Sequence, residues 1–192
     1  MLLRRTPWEA PVLWALDLET SGLDPKRGEI LAVGMVPIRD GTIRYGERWE
    51  SLVRPEAPER LSLAGIEAHH LLPGELAAAP PLAEVLPEID RRLRQGVLLL
   101  HHAPLDLGYL RRAYRACRLP WPRPRVVDTL DLVLAREHRR QRFHPHPEPP
   151  ATALPDARRA LGLPPHEAHD ALGDALATAE LFLALRAARR DA

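Results

Sequence analysis

Near its start the chain carries an unbroken apolar run, Val12-Leu13-Trp14-Ala15-Leu16. A strand apolar on both faces belongs in the middle of a sheet rather than at its edge. After a polar turn from Thr20 to Gly28, holding Gly22 and Asp24-Pro25, come two further β-rich runs, Ile30 to Ile38 and Ile43 to Val53, joined by Asp40-Gly41. Asp-Gly between such runs is a strong hairpin signal, so the three runs predict an antiparallel unit with the first strand at its inner side. Arg54 to Pro81 is punctuated by prolines, and a short helix is predicted near Leu61 to His69. Leu82 to Leu93 has helical periodicity, and Gly96 reads as its C-cap. The wholly apolar Val97 to Leu100 predicts a parallel central strand, followed by a helix that starts at Pro104. Val126-Val127 is a last short strand, Asp128 to Glu137 a helix, and Pro155 to Leu161 another that ends at Gly162. The final helix, Asp170 to Arg189, turns Leu172, Ala175, Leu176, Ala179, Phe182 and Leu183 toward the core. A meander of strands followed by strands alternating with helices makes a mixed, five-stranded α/β sheet flanked by helices.

Where the first strand ends, the pattern changes character. Asp17 and Glu19 follow the apolar run directly, and strand alternation points both carboxylates to one face. Like charges side by side at a buried strand end are costly unless a cation compensates them. Two later segments supply further acids together with histidines. His101-His102-Ala103-Pro104-Leu105-Asp106 follows the central strand, which places Asp106 in the first turn of the next helix. His169-Asp170-Ala171-Leu172-Gly173-Asp174-Ala175 opens the last helix. A continuous helix would set His169 and Asp174 well apart around its axis, so His169 precedes the helix and Asp170 is its N-cap. Four carboxylates, Asp17, Glu19, Asp106 and Asp174, offer hard oxygen ligands that favour magnesium or manganese over zinc. An imidazole titrating near neutrality can accept a proton from water.

These three segments carry a family resemblance. The Asp-x-Glu-Thr of Asp17 to Thr20 and the two His-x-Ala-x-x-Asp elements, His101 to Asp106 and His169 to Asp174, resemble the exonuclease motifs of the DnaQ-like, or DEDDh, family, which includes the exonuclease domains of DNA polymerase III epsilon subunits. The resemblance runs from about Val12 to Leu185, so that 1–192 reads as a single DnaQ-like exonuclease domain with its core at about 12–185. The middle motif departs from the family, in which Asn usually follows the first histidine and Phe precedes the aspartate; here His102 and Leu105 stand there. The resemblance implies a ribonuclease H-like fold and a metal-dependent 3′–5′ exonuclease that releases nucleoside 5′-monophosphates from single-stranded or frayed nucleic acid, DNA being favoured over RNA, in proofreading, repair or RNA processing. It implies two Mg²⁺ or Mn²⁺ ions held by Asp17, Glu19, Asp106 and Asp174, with His169 as general base. The substrate would meet Thr20, Gly22 and Leu23, and His69, which stands in a His-Gly-Ile-Thr-like element. A DNA polymerase catalytic subunit is a possible partner. The alternative from another class is a catalytically silent nucleic-acid-binding or polymerase-associated module.

Composition narrows these readings. A chain of 192 residues is long enough to bury a substantial core as one domain. Net charge is only +1, so affinity for a nucleic-acid backbone would have to come from a local patch. Arg111, Arg112 and Arg115 are candidates for a phosphate track or a dimer surface. Cys117 stands alone, which excludes an intrachain disulfide, and is expected in the core. With neither a leader-like apolar segment nor a run long enough to cross a bilayer, the expected location is cytoplasmic, with no membrane partner. Asparagine is absent and Lys26 is the only lysine, a bias that fits a thermophile. Arg139 to Pro150, rich in Pro and His, reads as an exposed loop, and His138, His144 and His146 as solvated histidines rather than a zinc site.

Overall fold

The computed structural model describes residues 10–61, 63–143, 149–166 and 168–190. Its centre is β1, Leu13–Thr20, which lies antiparallel to β2, Ile30–Arg39, on one side and parallel to β5, Val97–Leu100, on the other. β5 in turn pairs in parallel with β6, Arg125–Asp128. The outer edge of β2 is shared by two short strands, β3 at Thr42–Ile43 and β4 at Trp49–Leu52, which makes six strands in all. The run expected as one strand from Ile43 to Val53 is therefore interrupted. Asp40 and Gly41 take φ of 51° and 73°, the left-handed pair that a two-residue hairpin demands. The chain then leaves the sheet for a 3-10 turn at Tyr45–Glu47 before rejoining it. The Arg39 side chain bonds Glu47 at 3.0 Å, and Arg48 stacks over the Tyr45 ring, which holds the detour in place.

Seven helices complete the described chain: α1 at Leu63–His69, α2 at Pro73–Ala78, α3 at Leu82–Leu93, α4 at Ala103–Ala116, α5 at Thr129–Phe143, α6 at Leu154–Arg159 and α7 at Ala171–Arg190. Alternation along β1 assigns its faces. Trp14, Leu16 and Leu18 pack with Val85, Leu86 and Ile89 of α3 and Tyr109, Leu110 and Ala113 of α4. Leu13 and Ala15 pack instead with Ala179 and Phe182 of α7. Burying each such Leu or Phe side chain contributes roughly 1.5–3 kcal/mol, so both faces of β1 anchor it before its polar end begins.

Two local expectations are corrected. Gly96 is not a left-handed C-cap, since its φ is not positive and Arg94 caps α3; a Cβ there would strike the backbone of Val12, so its smallness serves the approach of β5 to β1. α5 continues to Phe143 rather than stopping near Glu137, so Arg139 to Phe143 is helix and not loop. His144 and His146 lie outside the described residues. Cys117 is half-buried at the end of α4. Among the described residues no helix is long and apolar enough to cross a membrane.

One glycine sets how close α7 comes to the sheet. Gly34 of β2 pairs with Asp17, and a Cβ on it would run into the backbone of Ala171 and Leu172. Gly34→Ala should therefore cost about 3 kcal/mol as overpacking against main chain, whereas Gly74→Ala in α2, with open space around it, should be close to neutral. Urea unfolding of the two variants measures the contrast.

Candidate active site

β1 extends beyond the end of β5, since pairing between them covers only Leu13 to Ala15. Asp17 and Glu19 lie on this extension, on the same face as Leu13 and Ala15, opposite Gly34 and Ala32 of β2. α4 begins immediately after β5, which brings Asp106, in its first turn, to the projecting segment. The Asp106 carboxylate is buried, and its own backbone amide and that of Leu18, the residue between Asp17 and Glu19, favour its charged form. Asp170 precedes α7 and accepts from the N–H of Gly173 at 2.8 Å, an N-cap bond. Asp174 sits in the first turn of that helix. His169 is exposed on the lead-in with φ 68°, a left-handed conformation uncommon outside glycine, and its N–H donates to Asp174 Oδ2 at 3.0 Å.

The five residues singled out by the motifs thus gather at one end of the sheet. Ligand atoms of Glu19, His169 and Asp174 all fall within 4.8 Å of one another. The acids strain each other electrostatically. Burial, reinforced by Asp106, Asp174, Glu19 and Asp170, holds the Asp17 carboxyl well above the usual carboxylate range. Burial and then Asp174 and Asp170 push Glu19 up to about 7. Asp106 is pushed up to about 8, by burial first, then by Asp128 and Glu19, against the opposing pull of the backbone amides of Asp106 and Leu18. A cluster of hard oxygens in which each acid destabilises its neighbours' charge fits a divalent cation, which would reverse the sign of the local field.

The expected substrate contacts divide between two surfaces. His69 is buried and lines a cavity of about 930 Å³ with Glu19, His169 and Asp170. Its Nδ1 accepts from the N–H of Leu71 at 3.1 Å, and burial, with His70 and His169 nearby, lowers its basicity. The neutral ring consequently carries its proton on Nε2. Gly22 and Leu23 line a second depression with Asp24 and Arg27, and Leu23 is 84% exposed. Thr20 turns its hydroxyl onto the carbonyl of Gly22. The loop they belong to is pinned from α4: Tyr109 donates to the Gly22 carbonyl at 2.6 Å, and Arg112 donates to the carbonyls of Pro25 at 2.9 Å and Gly28 at 2.6 Å. Arg112 is therefore a strut for this loop, and the phosphate track suggested for Arg111, Arg112 and Arg115 loses its middle member.

The middle motif is held by hydrogen bonds that reach β6 and the segment before α6. His102 takes φ 64°, a conformation for which Asn and His are both enriched. His101 bridges Thr129 Oγ1 and the Thr152 carbonyl, each at 2.8 Å. Asp128, at the end of β6, accepts from the N–H groups of His102, Ala103 and Leu130 and so secures the starts of α4 and α5 together. Sequence reasoning missed Asp128, although an acid just before a helical run is an N-cap signal. It also missed His166, whose Nε2 lies 2.7 Å from Asp174 Oδ1 and which no periodicity marks.

Known proteins share this fold. The chain is 34% identical over 186 residues to a DNA polymerase III subunit epsilon-like protein of Rhodobacter capsulatus, covering 95% of this chain and 25% of that protein. It is 33% identical over 169 residues to the PolC-type DNA polymerase III of Thermotoga petrophila, covering 88% of this chain and 11% of the polymerase. It thus spans a quarter or less of the length of these relatives. Among solved structures, Escherichia coli exonuclease I in a zinc-bound complex with single-stranded DNA superposes with a TM-score of 0.79 at 18% identity, over 94% of this chain and 41% of that one. Exonuclease I of Methylocaldum szegediense superposes with a TM-score of 0.74 at 20% identity, over 93% of this chain and 41% of that one. Residues 14–182 match the exonuclease family of the RNase T type, a span that holds Asp17, Glu19, Asp106, His169 and Asp174, and the chain belongs to that family.

Proposed function

We propose that this protein is a 3′–5′ exonuclease that hydrolyses the terminal phosphodiester of single-stranded or frayed nucleic acid and releases nucleoside 5′-monophosphates. The observation that carries the reading is the convergence of Asp17, Glu19, Asp106 and Asp174 with His169 around one end of β1. Mg²⁺ or Mn²⁺ ions held by these four carboxylates would supply charge neutralisation for the phosphate and acidify water, the pairing of two ions being common in nucleases. The protein's own residues do the rest. His169, exposed beside Asp174, takes a proton from the attacking water as general base. The rigid end of β1, buried on both faces up to Leu16, holds Asp17 and Glu19 in a fixed spacing during attack. His69, presenting Nε2–H to the cavity it shares with Glu19, is placed to donate to a sugar or phosphate oxygen of the terminal nucleotide. Leu23, exposed on the pinned loop, offers an apolar surface to its base. DNA is the favoured substrate, since the relatives are named as DNA polymerase III proteins, and docking on a polymerase catalytic subunit belongs to the same proposal.

Purified protein incubated with 3′-labelled and 5′-labelled single strands of DNA and RNA in Mn²⁺ tests this. Stepwise shortening from the 3′ end is expected, lost below detection in Asp17→Ala and reduced about 10²- to 10⁴-fold in His169→Ala. Binding without cleavage of any strand would favour the silent module instead.

The electrostatics of the site give a second prediction. A carboxyl whose folded-state pKa is raised keeps its proton in the folded protein over the window from about 4 to about 8, so metal-free stability falls as pH rises through that window. Asp106→Asn removes one such group. In EDTA its Tm should match the wild type at about pH 4 and below and exceed it by several degrees at pH 9, and saturating Mn²⁺ should reverse that order. Thermal melts across pH, with and without the metal, measure both signs.

A further inference from the structure

Asp174 has a hydrogen-bond partner on each of its carboxylate oxygens. Its Oδ2 accepts from the N–H of His169 at 3.0 Å, and its Oδ1 lies 2.7 Å from Nε2 of His166, the ring nitrogen being the N–H donor to a carboxylate oxygen. Both side chains are mostly enclosed, 12% exposed for His166 and 14% for Asp174. His166 is not in any of the three motifs and does not belong to a helix or strand, so something else must fix it. Arg158 does so from α6: its side chain is 2% exposed, Nη2 donates to the carbonyl of Pro164 at 3.0 Å, and Nη1 donates to the carbonyl of Ala177 in α7 at 2.8 Å. The N–H of Leu163 returns to the carbonyl of Arg158 at 3.1 Å. The segment leading to His166 is thereby tied to the same helix that carries Asp174.

Asp174 also repels Asp17 and Glu19, and a carboxylate so placed would rotate away unless bonded. We propose that His166 is a positioning residue for the metal site: its Nε2–H bond holds the Asp174 carboxylate turned toward Glu19 and His169 against that repulsion. The inference rests on the exonuclease reading above. Each Asp174 oxygen accepts one bond within the protein and keeps a second lone pair for a cation. Hydrogen-bond partners of this kind, one step out from the ligands, typically alter metal affinity 10- to 100-fold when removed.

Mn²⁺ alone is titrated calorimetrically into the full chain and into His166→Gln, His166→Asn and His166→Ala, and the metal-free Tm of each is recorded. Glutamine's amide nitrogen reaches about as far as Nε2, whereas that of asparagine falls short. Asn and Ala variants are expected to bind Mn²⁺ about 10- to 100-fold more weakly, with the Gln variant near the wild type and the Gln and Asn variants melting alike without metal. Wild-type affinity in the Asn variant, or a Gln variant as weak as Asn, would overturn the positioning role while leaving the exonuclease reading intact. A wild-type chain that binds no Mn²⁺ would overturn both.

Discussion

The groups that act on the carboxyl of Asp17 are all acids: Asp106, Asp174, Glu19 and Asp170, on top of its burial. A fold that brings such a group together must hold it by means other than charge. Here β1 is clamped by apolar packing on both faces before its acids begin, Asp106 is buried in α4, whose start is bonded by Asp128, and Asp174 is bonded by His166 and the His169 amide. The hydrophobic core does the electrostatic holding, because each acid is presented by an element that cannot move without exposing buried side chains. The penalty falls on the metal-free protein, and a bound cation would relieve it.

Much of this was legible in the residues. The alternation that puts Asp17 and Glu19 on one face follows from the period of a strand, and Asp170 and Pro104 announced their helix starts through capping chemistry. What escaped involves partners far apart in sequence or competing local rules. The His166–Asp174 bond spans an irregular segment with no period to reveal it. Arg112 reads as part of a phosphate track or a dimer surface until the loop after β1 folds back and offers it two carbonyls. α5 outran its expected end because the first proline of that stretch is Pro145: proline forbids helix at and just before itself, not several residues upstream. The split of the third strand depended on where a hairpin's twist releases the chain, which composition does not encode.

The two altered positions of the middle motif fit their surroundings in this chain. The position of His102 demands a left-handed backbone more than a particular side chain, and Leu105 packs against the core at the edge of α4. Asp128, three N–H bonds strong, fixes the start of α4 from outside the motif. Asp106 therefore owes its place to β6 as much as to the residues around it.

Gly34 has a wider consequence. Where α7 meets β2 opposite Asp17, main chain lies against main chain, so the separation of the first and last motifs is set by peptide geometry, which every sequence shares. Side chains elsewhere in the core can change size over evolutionary time without retuning that separation. This chain can in this way keep its first and last motifs in register, provided a hydrogen atom, and nothing larger, occupies that single site.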